Sequence, residues 1–365
     1  MKLMTTNENN EQRMRTAIGK LSDFSKKCQD FLTDSWGVHP DSAGPEPAMP
    51  LGTLMLTGDN TVQAVRVESE RAMLQLSERL GAGNYLPALT EWHNKTRNSQ
   101  MEKKAKLRGL WNHNVSALGE LHKGQPLLFR TYGKDDGPAS VRAVLSNQYV
   151  VLNNYELLAS TAEQVQQEAF KNEVPLNQIS FDYEMNEEMS DVRFYFINDN
   201  IRFDDNYRGG IVVKNGECGD SSFDVQLILF NTACANVIRT QIHYGVRHMA
   251  ERVFRYSDLT NRIHAELVYR TAGEMTRVLL NRSQLQQYYE KLILSRDIAL
   301  DVDKAQIIMR RAFSQQRVDI ILSHWKTDEE KSMYGLAQAI TLKAQDVPFD
   351  AREKEEEFAA RLVFA

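Results

Sequence analysis

The residues most able to do chemistry in this sequence are arginines in its second half. Between residues 239 and 282 there are eight arginines, no lysine and four acidic residues, a local net charge of +4 in a chain of net charge −5. In a helix, five of them, from Arg252 to Arg277, fall within a sector about 80° wide. Guanidinium groups bind phosphates in bidentate fashion and stack on bases, so this pattern favours a nucleic-acid backbone as the ligand.

A junction in the middle of the chain leads into this arginine-rich segment. The stretch GIVVKNGECGDSSFDVQLILFNTACANVIRT, residues 210–240, changes from a glycine-punctuated β pattern to small residues at helical spacing. We predict a helix that begins near Asn231 or Thr232. Cys234 is then a small buried hydrophobic residue rather than a nucleophile. Asn236 and Arg239 are the polar side chains that we expect to face a ligand.

The sequence therefore gives a set of candidate nucleic-acid-binding residues. They are Asn236, Arg239, Arg247, Arg252, Arg255, Arg262, Arg270 and Arg277. Three tyrosines, Tyr244, Tyr256 and Tyr269, lie among them and offer surfaces on which bases can stack. The alternative is a solvated or inter-subunit helix whose arginines pair with acidic residues of the same chain.

Signatures of metal or nucleotide chemistry are weak. The stretch FDYEMNEEMSD, residues 181–191, brings five carboxylates into eleven positions, which suits Mg²⁺ but is equally typical of a solvated loop. Glu102 and Lys104 form an E-x-K tripeptide of the kind that nucleases use. The glycine cluster GAGN, residues 81–84, lacks the lysine and hydroxyl of a P-loop. We expect no metal, no cofactor and no enzymatic activity, with a Mg²⁺-dependent nuclease as the least favoured alternative.

The amino-acid composition limits the classes of protein to which this chain can belong. The chain has 365 residues, of which 42% are hydrophobic and 25% charged, as in an ordinary soluble protein. Its three cysteines, Cys28, Cys218 and Cys234, are too few for a disulfide framework, which fits a reducing compartment. It has no apolar run of signal-peptide or membrane-spanning length. These features predict a cytoplasmic protein that is not embedded in a membrane.

The periodicity predicts an α+β fold organised in four segments. Residues 1–60 are expected to form a flexible arm and linker, because HPDSAGPEPAMPLG, residues 39–52, holds four of the nine prolines. Residues 61–122 are expected to be helical, 123–240 to form a β-rich core with helices, and 241–365 to be helical. Strands are predicted at 125–132, 140–146, 192–197, 208–216 and 222–230. The architecture is then an antiparallel β core with a β-β-β-α unit, flanked by N-terminal helices and a long helical C-terminal region.

The chain resembles a family of phage and plasmid proteins known as domain of unknown function 932. The matching stretches are QLSERLGAGNYL (75–86), LLFRTYG followed by VRAVLSNQYVVLNNYELL (127–158), the junction at 210–240, and HYGVRHMAERV (243–253). The motifs of that family correspond here to residues 142–153, to residues 215–221 with Gly216 in place of serine, to Cys234 with Asn236, and to Arg247 with His248. The resemblance implies a mobile genetic element as the source but no mechanism.

The predicted β-β-β-α order is also similar to the core of single-strand annealing recombinases of the RecT, Redβ and Erf kind, which act without ATP as oligomers. This similarity implies a phage or plasmid protein that binds single-stranded DNA, with RNA as the alternative, as a homo-oligomer in recombination or replication. The competing hypothesis is a structural or interaction protein that assembles with itself or with a host protein and binds no nucleic acid.

Overall fold

The computed structural model describes most of the chain. The described residues are 32–42, 51–57, 62–67, 69–121, 127–132, 139–146, 149–175, 178–185, 189–196, 201–219, 222–246, 258–327 and 330–364. They contain strands and helices in an α+β arrangement, as the sequence predicted, and the last third of the chain is helical. Within this described part, none of the helices combines the length and the hydropathy that a bilayer crossing requires.

The first unit is a closed five-stranded barrel with a helical insertion. Its strands are β1 (Leu32–Ser42), β2 (Thr53–Thr57), β3 (Val62–Val67), β4 (Leu127–Tyr132) and β5 (Ala139–Ser146). Their order around the barrel is β1-β2-β3-β5-β4, with β3 and β5 parallel and the other pairs antiparallel. This order, with helices between β3 and β4, is the connectivity of the OB-fold, a five-stranded Greek-key barrel.

Three helices make up the insertion: α1 (Glu70–Arg79), α2 (Tyr85–Lys95) and α3 (Met101–Leu121). Ser69 caps α1, since its hydroxyl accepts from Ala72 N at 3.0 Å. Apolar residues of the helices and of the barrel share one core, in which Trp111 of α3 and Phe129 of β4 are fully buried. The barrel therefore fixes the orientation of α2 and α3.

The second unit is an antiparallel sheet packed on both faces. Its strands are β6 (Ile179–Met185), β7 (Met189–Phe196), β8 (Tyr207–Gly216), β9 (Phe223–Asn231) and β10 (Val237–Val246), in sequential order. The helices that follow the barrel are α4 (Asn154–Lys171), α5 (Asp258–Leu280), α6 (Ser283–Leu294), α7 (Val302–Met309), α8 (Gln315–Thr327), α9 (Met333–Ala344) and α10 (Phe349–Phe364). One sheet face contributes Phe194, Ile211 and Leu227 to the main core, and the other carries a smaller cluster around Ile228.

Two predicted segments have a different structure. The expected linker before residue 60 contains β1 and β2, and the helix expected from residue 61 is instead β3 followed by α1. Val65 and Val67 are buried, whereas Ala64 and Arg66, which alternate with them, are half-buried, a period of two that belongs to a strand. Residues 1–31 of the predicted arm lie outside the described residues.

The predicted helix at residue 231 is a turn followed by a strand, so the β-β-β-α unit is wrong at its last element. Asn231 Oδ1 accepts from Ala233 N at 2.8 Å, and Ala235 has a φ of +60°, which ends any helix there. The chain then continues as β10, paired with β9. Cys234, expected in a helix, is half-buried in the turn, and burial raises the pKa of its thiol.

Candidate nucleic-acid interface

Arg239 and Asn236, two of the predicted ligand-facing residues, are buried and bonded within the protein. Arg239 is 1% exposed; its Nε donates to Glu356 at 3.1 Å and its Nη1 to Gln226 at 2.9 Å. Asn236 is 2% exposed, and its Nδ2 donates to the side-chain oxygen of Gln338 at 2.9 Å. Both side chains therefore have structural partners from helices α9 and α10 or from the sheet.

Two of the predicted arginines lie on the surface of α5. The Arg270 guanidinium contacts the Glu266 carboxylate at 3.0 Å, and that of Arg277 contacts Glu274 at 3.7 Å. Each arginine thus has an acidic neighbour one turn away on its own helix, as the alternative hypothesis expected. Arg247, Arg252 and Arg255 lie outside the described residues, as does the side chain of Arg262.

The carboxylates considered for metal binding are divided between two strands. Residues 181–185 lie in β6 and residues 189–191 in β7, and the register of this strand pair places Glu184 opposite Asp191. Residues 186–188 lie outside the described residues. Glu102 and Lys104 are two positions apart on α3, which points them away from each other, and Glu102 pairs with Lys106 at 2.8 Å. The described residues contain no group of three or more ligand-type side chains that could hold a metal ion.

An open cleft of about 410 Å³ lies between the sheet and α10. Arg239, Lys214 and Arg361 line it together with Asp224, Glu353 and Glu357. Most of these charges are already paired: Lys214 with Glu353, and Asp224 with His243 at 3.2 Å. Burial raises the pKa of Asp224, and the hydrogen bond from His243 opposes that rise. A cleft with balanced charges does not present the single-sign surface that a phosphate backbone requires.

Two motifs of the proposed family resemblance meet in a buried polar cluster between barrel and sheet. Arg142 of β5 forms an ion pair with Glu217, which follows β8, and the Glu217 carboxylate also accepts from Asn154 N. Arg130 Nη1 donates to the backbone oxygen of Glu217 at 3.1 Å. Arg130, Arg142 and Glu217 are at most 2% exposed. The cluster joins the two units, and its burial gives these motif residues a structural role.

The described surface that best suits an anionic polymer is on α2 and α3. Residues 91–113 carry six lysines and arginines and two acidic residues, a net charge of +4. Four of the cations are exposed and two are half-buried. The exposed ones are Lys95, Arg97, Lys103 and Lys106, and the half-buried ones are Lys104 and Arg108. Lys95 and Lys106 have i,i+4 partners in Glu91 and Glu102. Such exposed pairs contribute little stability and are readily exchanged for phosphate. We call these six cations the cationic surface.

Two exposed aromatic rings lie beside the cationic surface. Tyr85 is 41% exposed and Trp92 is 54% exposed. They are seven positions apart on α2, which places them on one face of the helix about 10.5 Å apart along its axis. Bases of a single strand stack on exposed aromatic rings irrespective of sequence.

A groove between α2 and α3 brings three nitrogenous side chains together. His93 of α2 lies near Lys104 and Arg108 of α3, and burial together with these two positive charges lowers the pKa of His93, against the effect of its hydrogen bond to Asn94. His93 Nδ1 is 3.5 Å from Asn94 Oδ1, while Lys104 Nζ donates to Asn98 at 2.8 Å. Burial and the two neighbouring cations thus favour the neutral form of the His93 ring.

Comparison with known proteins adds no identification. No protein-family model, curated protein or solved structure matches this chain.

The sequence analysis missed the cationic surface although a signal for it was present. The run MEKKAKLR, residues 101–108, holds four cations and one acid, and Trp92 precedes it closely. The sequence analysis counted local charge between residues 239 and 282 and did not count it along residues 91–113. A residue-by-residue charge window would have found it.

Proposed function

We propose that this protein binds single-stranded nucleic acid through the cationic surface of α2 and α3. The observation that carries the proposal is the combination of net positive charge with the exposed ring of Trp92. Phosphate neutralisation by lysine and arginine supplies affinity for any nucleic acid, and an exposed aromatic ring favours unpaired bases. The OB-type connectivity of the barrel supports this role, since OB-folds bind oligonucleotides.

The biological setting of the proposal follows from the family resemblance. A homo-oligomer that coats single-stranded DNA, or RNA, in the cytoplasm of a bacterial host would serve recombination or replication of a phage or plasmid. Strand annealing without ATP is the activity that fits such a coat, since the complementary strands supply the free energy of pairing. Neither a metal nor a cofactor has a part in it.

The salt dependence of binding tests which surface holds the strand. Fluorescence anisotropy with a labelled oligonucleotide is measured over a range of salt for two variants that each remove two positive charges. Lys103→Gln with Lys106→Gln changes the cationic surface, and Arg270→Gln with Arg277→Gln changes α5. We expect the first variant to weaken binding and to flatten the log–log salt slope by about 1.4, at about 0.7 per lost contact.

Each outcome decides between hypotheses. An unchanged slope for the lysine variant and a flattened slope for the arginine variant would move the interface to α5, as the sequence alone suggested. Failure of the unmodified protein to bind at micromolar concentration in low salt would contradict nucleic-acid binding altogether. That result would favour the competing hypothesis of a structural or interaction protein. This hypothesis predicts assembly in light scattering and no co-purified nucleic acid.

A further inference from the structure

The groove between α2 and α3 contains a histidine nitrogen whose environment is incomplete. His93 Nε2 is shielded from solvent and has no hydrogen-bond partner among the described residues. The Asn94 side-chain oxygen lies 3.5 Å from Nδ1, and in the tautomer that donates to it from Nδ1 the neutral ring presents a lone pair at Nε2. A buried polar nitrogen without a partner is costly, so a ligand that supplies a partner is stabilised there.

Two permanent cations share the groove with this nitrogen. Lys104 has three ammonium protons, of which Asn98 accepts one, and the Arg108 guanidinium lies on the same side of α3 one turn later. Both charges act on the imidazole from α3. The other helix packed against α2 is α1, whose charged residues are Glu70, Arg71, Glu78 and Arg79. The groove thus combines an imidazole, an ammonium and a guanidinium, three groups that bind phosphate oxygens.

We propose that His93, Lys104 and Arg108 form a phosphate-binding site for one phosphodiester group of the strand, and that His93 takes up a proton when the phosphate enters. The proposal rests on the proposed function of the cationic surface and adds a specific contact and its regulation. In the tautomer that donates from Nδ1 to Asn94, neutral His93 cannot also donate from Nε2 to a phosphate oxygen, whereas the protonated ring donates from both nitrogens. The proton comes from solvent and remains on Nε2, where it forms a charge-assisted hydrogen bond with the phosphate.

Proton uptake gives binding a defined dependence on pH. Lys104 and Arg108 disfavour the charged imidazole in the free protein, and a bound phosphate reverses that effect because its negative charge favours the imidazolium. The pKa of His93 is therefore higher in the complex than in the free protein. Affinity rises as pH falls through the interval between the two values, by up to about tenfold per pH unit for one proton.

The experiment measures oligothymidylate binding by anisotropy between about pH 5 and about 8, where His titrates and thymine and phosphodiester groups do not. The unmodified protein is expected to bind more tightly as pH falls, and His93→Gln is expected to lose that dependence on pH. His113→Gln is the matched control, since His113 is exposed on α3 outside the groove. It is expected to keep the full pH dependence.

Two further measurements keep the proposal open to contradiction. Calorimetry of the unmodified protein in buffers of different ionisation enthalpy should show proton uptake on binding, whether or not His93→Gln folds. Addition of inorganic phosphate at matched ionic strength should leave the pH dependence of oligothymidylate binding unchanged. Loss of that pH dependence would identify free phosphate as the ligand. Binding without pH dependence, or a dependence retained in His93→Gln, overturns the phosphate site alone, whereas absence of any binding overturns the proposed function.

Discussion

Arg239 and Glu356 form a buried ion pair between β10 and α10, with 3.1 Å from Nε to Oε2. Glu356 also receives hydrogen bonds from Arg193 at 2.8 Å and from Arg352 at 3.1 Å. Arg193 and Arg239 belong to the sheet and Arg352 to α10 itself, so two of these three guanidinium groups hold α10 against the sheet. Arg239, which the sequence alone assigned to a ligand, therefore stabilises the fold.

Replacing Arg239 is expected to destabilise the protein. Arg239→Gln leaves the buried Glu356 with one fewer partner, and loss of one member of a buried pair costs about 3 kcal/mol or more of the free energy of unfolding. Urea denaturation measures this change. Arg270→Gln is the control, because its exposed pair is expected to contribute less than about 1 kcal/mol. Equal stability of the two variants would contradict the structural role of Arg239.

The same carboxylate makes stability depend on acid. Burial alone would raise the pKa of Glu356, but the charges of Arg193, Arg239 and Arg352 outweigh it and lower that pKa below its ordinary value of 4.5. The group therefore contributes stability that is fully present above pH 4.5 and is lost as pH falls through the lowered pKa of the folded state.

Urea unfolding at a series of acidic pH values measures this contribution. Glu356→Gln should be less stable than the unmodified protein near neutral pH and should lose less stability on acidification. A variant that loses stability as steeply as the unmodified protein would show that Glu356 is not the group that titrates.

Removing the exposed indole should weaken binding without affecting folding. Trp92→Ala is expected to cost about 1–3 kcal/mol of binding free energy, roughly a 5- to 150-fold loss of affinity for a single strand. The melting temperature should change little, since the ring is 54% exposed. Phe170→Ala provides the control, because Phe170 is an 85% exposed ring on α4. Similar losses in both variants would argue against a specific stacking site at Trp92.

Two glycines should respond in opposite directions to alanine. A Cβ at Gly210 in β8 would lie 2.5 Å from the Phe194 carbonyl oxygen of the neighbouring strand, so Gly210→Ala is expected to lower stability by about 1–3 kcal/mol. At Gly109 in α3 a Cβ would meet nothing within 4 Å. Gly109→Ala is expected to raise stability by up to about 1 kcal/mol, because alanine is the better helix former. Thermal unfolding of the two variants distinguishes these effects.

Several elements of the fold could be predicted from the sequence because their patterns are local. The strands at 127–132, 139–146, 207–216 and 223–231 are rich in β-branched and aromatic residues, and the C-terminal helices have helical spacing. Glycines punctuate the predicted strand, and a Cβ at Gly209 or Gly210 would clash with neighbouring groups. These features depend on steric and conformational preferences of short segments, which the amino-acid types determine directly.

Only the tertiary structure decided which charged residues are available to a ligand. Arg239 and Arg270 cannot be distinguished by their residue type. In the fold, Arg239 is buried and pairs with Glu356, 117 residues away, whereas Arg270 remains on the surface. The same holds for His93, whose position beside Lys104 and Arg108 arises from the packing of α2 on α3. Side-chain burial depends on partners distant in the chain, and their free energy of interaction is not a property of the local sequence. Charge composition therefore revealed cations, while the fold determined which of them face solvent.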